Sequence, residues 1–562
     1  MLEMENWYEF TNRTWGNLLD TIAEKYPEQV ALIFKGKQVT YREFQHRVDR
    51  IAKGLIAFGV GKGETVGIWM TNCLEWIYTQ YAIYKVGAIM LPVYTRWRGT
   101  EVKYSLGQSD TSTLVMMDNF LGSIDALEMF KGLCPEISNY EPGEFHSEAF
   151  PNLRRVIILG DRKCKGMIDF SEVMRIGDSE TLNNELKKHQ VSVDPFDVVN
   201  IMFTSGTTGF SKGGLSMHRN NMACVHTVGK RMNLKSTDRF LLDFPLFSNF
   251  GCLFVAGLGI YHGISIVINE IFDPEQSFRA IEKYKITHLF GTPSMFIMFL
   301  DHPKLKTANL SSLRGGLVGG APVPPWGMKG IIDDLGAKEM LNIYGLSECG
   351  GTSTTTLIDD PLDVKCNTAG IPLPNVLLSI VNPETGKELG CGEVGEIWLK
   401  DVYPGSCVGK GYYKMPDETS HTITKDGWFR TGDIGKLDER GYLRFEGRLK
   451  EMFCVGGFNV YPAEIENFIS EHPKVRNAYV IGVPDRRLGE IPMAFIELHE
   501  GESLTEEEII NFCKKRIANF KVPKYIKFIH CEDVPLTGSG KVRKFILREQ
   551  AIKELRLENN QH

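Results

Sequence analysis

The sequence predicts an α/β protein: a large N-terminal domain of two α/β layered subdomains plus a small β-rich subdomain, and a small mobile α+β C-terminal domain. Three observations predict it. Short apolar runs alternate with amphipathic stretches over roughly the first 370 residues, the rhythm of parallel sheets covered by helices. From Ala369 the texture changes to strand-like runs with frequent glycines, as in LLSIV and GEIWL. After Arg448 a third, α+β pattern begins. The expected divisions are 1–447 for the N-terminal core with its β-rich part at about 369–447, a hinge at 448–451, and a C-terminal domain at 452–562. A chain of 562 residues is also too long for one ordinary core.

The elements follow in order. Trp15, Leu18, Leu19 and Ile22 recur at helical spacing and Pro27 ends that segment. Thr40 is placed to cap a second helix, with Phe44, Val48, Ile51 and Leu55 as its apolar stripe and Gly59 as its stop. An apolar run at 65–70, a helix through Trp76 and a second run at 88–93 complete a βαβ unit. The same alternation returns at 238–244, 264–268 and 288–290. Gly390, Gly392 and Gly395 make a GxGxxG, but the strand-like EIWL follows where a dinucleotide-binding helix would begin, so turn chemistry is the better reading. Thr505 and Glu508 form a capping box ahead of Ile509, Phe512 and Ile517, and the polar 523–541 reads as an exposed loop.

Composition narrows the function. The net charge of −6 gives no broad reason to expect nucleic acid. The start, MLEMENWYEF, has no secretory pattern, and the apolar region 253–268 is too interrupted by glycines for a membrane span. Twelve cysteines without a CxxC pair argue for reduced thiols in a cytoplasmic setting and against zinc. Any metal is expected to be magnesium arriving with phosphates.

The chemistry centres on TSGTTGFSKG, 204–213. Hydroxyls of Thr204, Ser205, Thr207 and Thr208 lie among Gly206, Gly209 and Gly213, a composition suited to phosphate oxygens, and Lys212 adds a positive charge facing pyrophosphate. The spacing is not that of the common P-loop, and by itself such a stretch is equally a flexible surface turn. Gly320, Ala321 and Pro322, after Gly319, offer a flat backbone surface for a purine. In NIYGLSE, Tyr344 is placed to stack on adenine, Asn342 to read its amino group and Glu348 to hold Mg²⁺, although singly these residue types are more often a core aromatic and a solvated carboxylate. Asp433 in WFRTGD suits two ribose hydroxyls, or an ordinary turn, and Arg448 adds donors to the ribose. Lys541 stands between glycines in PLTGSGKVRK, where a lysine is usually solvated.

In this order TSGTTGFSKG, GGAP, NIYGLSE, FRTGD, GRLKE with GGFNVYPAEIE, and PLTGSGK resemble the adenylate-forming superfamily of acyl-CoA synthetases, carrier-protein adenylation domains and luciferases. The resemblance runs from about Trp15 to Ile552, and GVPDRRLGEIPMAFI and FKVPKY place it nearest the acyl- and aryl-CoA synthetase branch. It implies an AMP-forming acid–thiol ligase using ATP, Mg²⁺ and coenzyme A. Its partners would be a small carboxylic acid and CoA, with no nucleic acid and no transmembrane segment, in a monomer or homodimer.

By the same resemblance Lys541 bridges the substrate carboxylate and the α-phosphate, and Glu348 with Thr204 holds the metal. The nucleotide motifs bring in Gly345 and Ser347. Gly456 and Gly457 line the thiol tunnel, and Lys450 is the hinge residue. The acyl pocket falls to Phe247, Ser248, Phe250 and Met295, with Gly345 and Leu346 at its side, an aromatic lining suited to a medium-chain, alicyclic or aromatic acid. Two positions depart from the pattern: Ser211 replaces a usual proline, and Ser248 a usual histidine. Two other readings stand beside the ligase: an adenylation enzyme loading a separate carrier protein, and a non-catalytic nucleotide sensor, against which the presence of Glu348, Asp433, Arg448 and Lys541 argues.

Overall fold

The computed structural model describes residues 12–122, 124–204, 211–456, 458–514, 516–536 and 542–557. Helix Trp15–Lys25 buries Trp15, Leu18, Leu19 and Ile22, the predicted stripe, and the Thr14 hydroxyl accepts from Asn17 N. Helix Tyr41–Ala57 begins with a full capping box in which Thr40 and Glu43 each satisfy the other's backbone N–H, an arrangement worth about 1 kcal/mol. The next helix, Leu74–Val86, is buried on nearly all sides and stops at Gly87, whose φ of 80° suits a residue without a Cβ. Lys85 of that helix is buried and ion-paired at 2.5 Å with Asp20 and with Asp49, so one ammonium joins the first three helices.

Two large sheets carry the rest of the N-terminal region. The seven-stranded sheet runs Ile168–Asp169, Arg155–Leu159, Thr111–Met117, Thr65–Trp69, Ile89–Pro92, Val198–Thr204, Lys212–Met217, and only the last strand is antiparallel to its neighbour. The nine-stranded sheet runs Ile371–Pro372, Thr354–Thr355, Glu339–Tyr344, Gly315–Gly319, His288–Gly291, Arg239–Leu242, Ser265–Ile268, Val30–Phe34, Lys37–Thr40, with the six strands from Glu339–Tyr344 to Val30–Phe34 parallel. One apolar core, with Val66 and Ile68 from the first sheet and Phe240, Leu242 and Leu317 from the second, fills the space between them. Parallel strands buried on both faces explain the continuous Val/Ile/Leu runs that marked them in the sequence.

The β-rich region is a four-stranded antiparallel sheet, Val376–Val381, Gly395–Asp401, Phe429–Leu437, Leu443–Arg448. Gly395 opens a strand, so the GxGxxG is turn chemistry as read. The C-terminal sheet contains Phe458–Val460, Phe453–Val455, Gly489–Leu498 and Val475–Asp485, with Tyr525–Phe528 parallel to Gly489–Leu498. It touches the N-terminal region where Trp326 Nε1 donates to Arg476 O at 3.1 Å and Arg476 pairs with Asp301.

Residues 253–268 are buried core, within the π-helical segment Phe250–Gly257, a helical turn Leu258–Tyr261 and strand Ser265–Ile268. Two sequence expectations change. Helix Glu506–Cys513 stops before Ile517. The stretch read as an exposed loop from 523 contains strand Tyr525–Phe528, because the open edge of Gly489–Leu498 supplies its hydrogen bonds. Among the described residues no helix is long and apolar enough to cross a membrane.

Candidate active site

The site gathers at the carboxyl ends of parallel strands, where open α/β sheets place their ligands. Thr204 ends one strand and Lys212 begins the next, paired directly opposite each other, so the phosphate-loop motif is the connection between them. Ser205, Gly206, Thr207, Thr208 and Gly209 lie outside the described residues. The base of the connection is well held. Tyr104 donates its hydroxyl to Ser211 O at 3.0 Å, and Lys212 forms an ion pair with Glu418 while its ammonium sits 5.3 Å from the Tyr412 ring centre. That pair holds the Glu418 carboxyl below its usual range.

Glu348 lies against the same base. Its side chain is buried, Tyr412 donates to Oε1 at 3.1 Å, and Gly409 N donates to its carbonyl at 2.8 Å. A Cβ on Gly214 would come within 3.2 Å of Glu348 Cγ, so the glycine lets the carboxylate approach the strand that carries Lys212. Burial, with the neighbouring Glu348 charge second, raises the Tyr412 pKa, so the phenol stays a donor. Among the described residues no three His, Cys, Asp or Glu side chains cluster as a metal cage. One buried carboxylate beside a phosphate loop still fits Mg²⁺, which binds through one or two carboxylates plus substrate phosphates.

The residues expected to meet the nucleoside stand on two adjacent strands in register, Val318 opposite Asn342 and Gly319 opposite Ile343. Gly320, at φ +85°, turns the chain so that Ala321 and Pro322 follow as an exposed ledge. Asn342 is buried, and its Nδ2 donates to Thr368 O at 2.9 Å, with Lys365 O at 3.5 Å. Two carbonyls at the nitrogen end fix the amide orientation and leave Oδ1 as the acceptor that an exocyclic amino group needs. Half-buried Tyr344 donates to Asp433 Oδ2 at 2.9 Å, and Arg448 Nε lies 3.3 Å from Asp433 Oδ1. Asp433 and Arg448 are direct cross-strand partners, so the sheet itself sets their distance. Burial, and after it the Asp433 charge, pushes the Tyr344 pKa well up. Ser347, half-buried, opens the short turn Ser347–Cys349 that carries Glu348.

On the acyl side, Phe247 is buried with its ring 4.8 Å from Tyr94, which stacks on Trp97 at 4.6 Å. Ser248 is buried and locally committed: its Oγ donates to Pro245 O at 2.7 Å and accepts from Gly251 N at 3.2 Å. Phe250 packs on Phe244 and Phe254, and Met295 is half-buried against Gly291. Leu346, Phe250 and Tyr344 all pack on the central core. At Gly345 a Cβ would stand 2.3 Å from Gly351 O and 2.5 Å from Thr352 Cα, so only glycine fits between Tyr344 and Leu346.

In the C-terminal region Lys450 is exposed on the short turn Leu449–Glu451, between the strand carrying Arg448 and strand Phe453–Val455. Gly456, at φ +58°, donates to Leu488 O at 2.8 Å. Gly457 and Lys541 lie outside the described residues. The structure thus brings Glu348 to the loop base, and Tyr344, Asp433 and Arg448 to one another. It also adds Tyr412, Glu418, Tyr94 and Trp97, which sequence reading missed because each meets its partner only through the fold.

Residues 19–413 match the model of the AMP-binding enzyme family, and 464–541 match that of the AMP-binding enzyme C-terminal domain. The chain belongs to the AMP-binding enzyme family. Among its relatives is Bacillus subtilis YngI, named as an acyl-CoA synthetase, 37% identical over 98% of this chain and 100% of that one. The mitochondrial medium-chain acyl-CoA ligase ACSF2 of Rattus norvegicus is 35% identical over 97% and 89%. ATP-bound MatB of Rhodopseudomonas palustris superposes with a TM-score of 0.79 at 26% identity, covering 96% of this chain and 99% of that one. The anthranilate CoA ligase AuaEII with anthranoyl-AMP superposes at 0.83 and 23% identity over 97% and 98%, a likeness of fold. The fold and the adenylate-forming assignment read from the motifs agree with these AMP-binding enzymes.

Proposed function

We propose that this AMP-binding enzyme is an acyl-CoA synthetase that activates a medium-chain carboxylic acid with ATP and transfers the acyl group to CoA. The observation that carries the reading is the meeting of two residue groups drawn from three sheets. Tyr344, Asp433 and Arg448 form a ribose and adenine platform, while Glu348 with Tyr412 sits against the phosphate-loop base. The aromatic Phe247, Tyr94 and Trp97 group suits a medium-chain, alicyclic or aromatic acid, and the ACSF2 relatives favour the medium chain among them.

The chemistry divides into two steps. A carboxylate oxygen attacks the α-phosphorus and pyrophosphate leaves, giving an acyl-adenylate; the CoA thiol then attacks the acyl carbon and AMP leaves. Asn342 and Tyr344 orient the base, Asp433 accepts from ribose hydroxyls, and Arg448 holds Asp433 in place. Lys212 and the loop hydroxyls receive the β- and γ-phosphates. Glu348 with Thr204 would hold Mg²⁺, which would supply charge neutralisation on the phosphates. Lys541 donates to the oxygens of the reacting carboxylate and α-phosphate.

We assign the hinge to 448–451 with Lys450 at its pivot, and the thiol path to Gly456 and Gly457. Free thiols at all twelve cysteines support a cytoplasmic enzyme, which we take to act as a monomer or homodimer. The deciding experiment measures acid-dependent ATP–pyrophosphate exchange, followed by product formation with free CoA or with a carrier protein. Exchange with CoA thioester as product supports the reading; product with the carrier alone, or no exchange with any acid, overturns it.

A further inference from the structure

Asn72 lies just beyond strand Thr65–Trp69 of the seven-stranded sheet, yet its side chain bonds to segments that leave strands of the other sheet. Its Nδ2 donates to Phe244 O and to Asn269 O, each at 3.1 Å, and its Oδ1 accepts from Leu246 N at 2.8 Å. The side chain is only 3% exposed. Phe244 and Leu246 follow strand Arg239–Leu242, and Asn269 follows strand Ser265–Ile268. One carboxamide therefore ties together the exits of two parallel strands. No other side chain of this size offers two donors and an acceptor in one plane: aspartate lacks the donors, and leucine lacks all three.

The far end of this node is equally ordered. Asn269 Nδ2 donates to Asp243 Oδ1 at 2.5 Å, and Ser277 Oγ donates to Asp243 Oδ2 at 2.7 Å. Asp243 precedes Phe244 and is 3% exposed, so the segment is pinned on both sides of Phe244. What leaves the node is Phe247, buried against Tyr94, and then Ser248, whose hydroxyl caps the π-helical segment Phe250–Gly257.

We infer that Asn72 is a positioning residue that sets which acids the enzyme accepts, by fixing the backbone from Phe244 to Leu246 that aims Phe247 and Ser248. The inference rests on reading Phe247, Ser248 and Phe250 as acyl-pocket residues. Asn72 touches neither nucleotide nor acid; it acts through the loop. Without it, the Phe244 and Asn269 carbonyls and the Leu246 N–H lose their buried partners and the loop relaxes toward other hydrogen bonds. Phe247 then moves, and the limit on acyl length moves with it.

The test is pyrophosphate release across straight-chain acids of graded length by the full-length protein, as wild type, Asn72→Ala and Ser277→Ala. Asn72→Ala is expected to change the ratio of kcat/KM between the preferred acid and one two carbons longer by about tenfold, the discrimination available to one apolar contact. The KM for ATP should stay within about twofold, since uniform damage to the fold would not spare nucleotide binding. Ser277→Ala, which loosens only the far end, should shift the profile in the same direction by less. An equal loss of kcat/KM for every acid, or an unmoved profile, overturns the inference. If Asn72→Ala yields no folded protein, Asn72→Ser, which keeps one hydroxyl but cannot make all three bonds, decides by the same criterion. Wild-type enzyme that releases no pyrophosphate with any acid overturns the functional reading, and this inference falls with it; an active wild type with unmoved variants overturns the role of Asn72 alone.

Discussion

The Tyr344 hydroxyl donates to the Asp433 carboxylate at 2.9 Å, joining the end of a strand in the nine-stranded sheet to the four-stranded sheet 89 residues later. In the proposed nucleotide site this bond makes the ribose platform and the adenine platform one object. Asp433 has Arg448 on one oxygen and Tyr344 on the other, so its orientation is set before nucleotide arrives.

Removing the phenol should therefore act on binding. In Tyr344→Phe the buried carboxylate loses a donor, a hydrogen bond to a charged group worth about 1.5–3 kcal/mol. The KM for ATP should rise by about tenfold or more, with a smaller fall in kcat. Steady-state pyrophosphate release against ATP concentration checks this, and an unchanged KM would refute it.

Glu348 and Tyr412 make a paired prediction about metal. Tyr412→Phe removes the donor that orients Glu348 and should raise the Mg²⁺ concentration for half-maximal rate by about tenfold. Glu348→Gln should raise it further. Mg²⁺ titration of acid-dependent pyrophosphate exchange reads both, and equal requirements in all three proteins would contradict the assignment.

Gly345 is a steric prediction. A methyl group there meets Gly351 O at 2.3 Å, and backbone oxygen on a short turn has little room to retreat. Gly345→Ala should cost about 1–3 kcal/mol of stability, read as a lowered denaturation midpoint, together with a rise in KM for the acid.

Asp243 gives a pH dependence. Burial raises its pKa from 3.8 to about 7, opposed by the Ser277 and Asn269 hydrogen bonds. The folded state then holds a proton that the unfolded state has lost between those values. Stability contributed by this group is complete below about pH 4 and declines as pH rises to about 7, by a few kcal/mol at most. Asp243→Asn carries no such proton. Denaturant unfolding at pH 5 and pH 8 should show a smaller loss in Asp243→Asn than in wild type, and equal losses would remove Asp243 as the source.

Much of this was legible from local pattern. The Thr40 cap, the Thr505–Glu508 capping box and the Trp15, Leu18, Leu19, Ile22 stripe are short-range devices, so spacing revealed them. So were the ordered motifs around Thr204, Tyr344 and Asp433, because the chemistry of phosphate and ribose restricts residue types. What was hidden is pairing between distant residues. Tyr525–Phe528 reads as loop because its strand exists only beside Gly489–Leu498, and Glu418 reads as a helix-surface carboxylate until Lys212, 206 residues earlier, is placed beside it. Asn72 gave no signal, since an asparagine ahead of a helix is ordinary turn chemistry.

The hairpin Val30–Phe34 with Lys37–Thr40 is made early in the chain but completes the sheet only by lying beside Ser265–Ile268. During synthesis its outer row of amides and carbonyls must wait while the ribosome adds the intervening two hundred or so residues, roughly 10–45 s at usual rates. A nascent chain of this kind carries an unsatisfied sheet edge until Ser265–Ile268 is made, and separating the first forty residues from the remainder would leave Ser265–Ile268 as an exposed template for its neighbours.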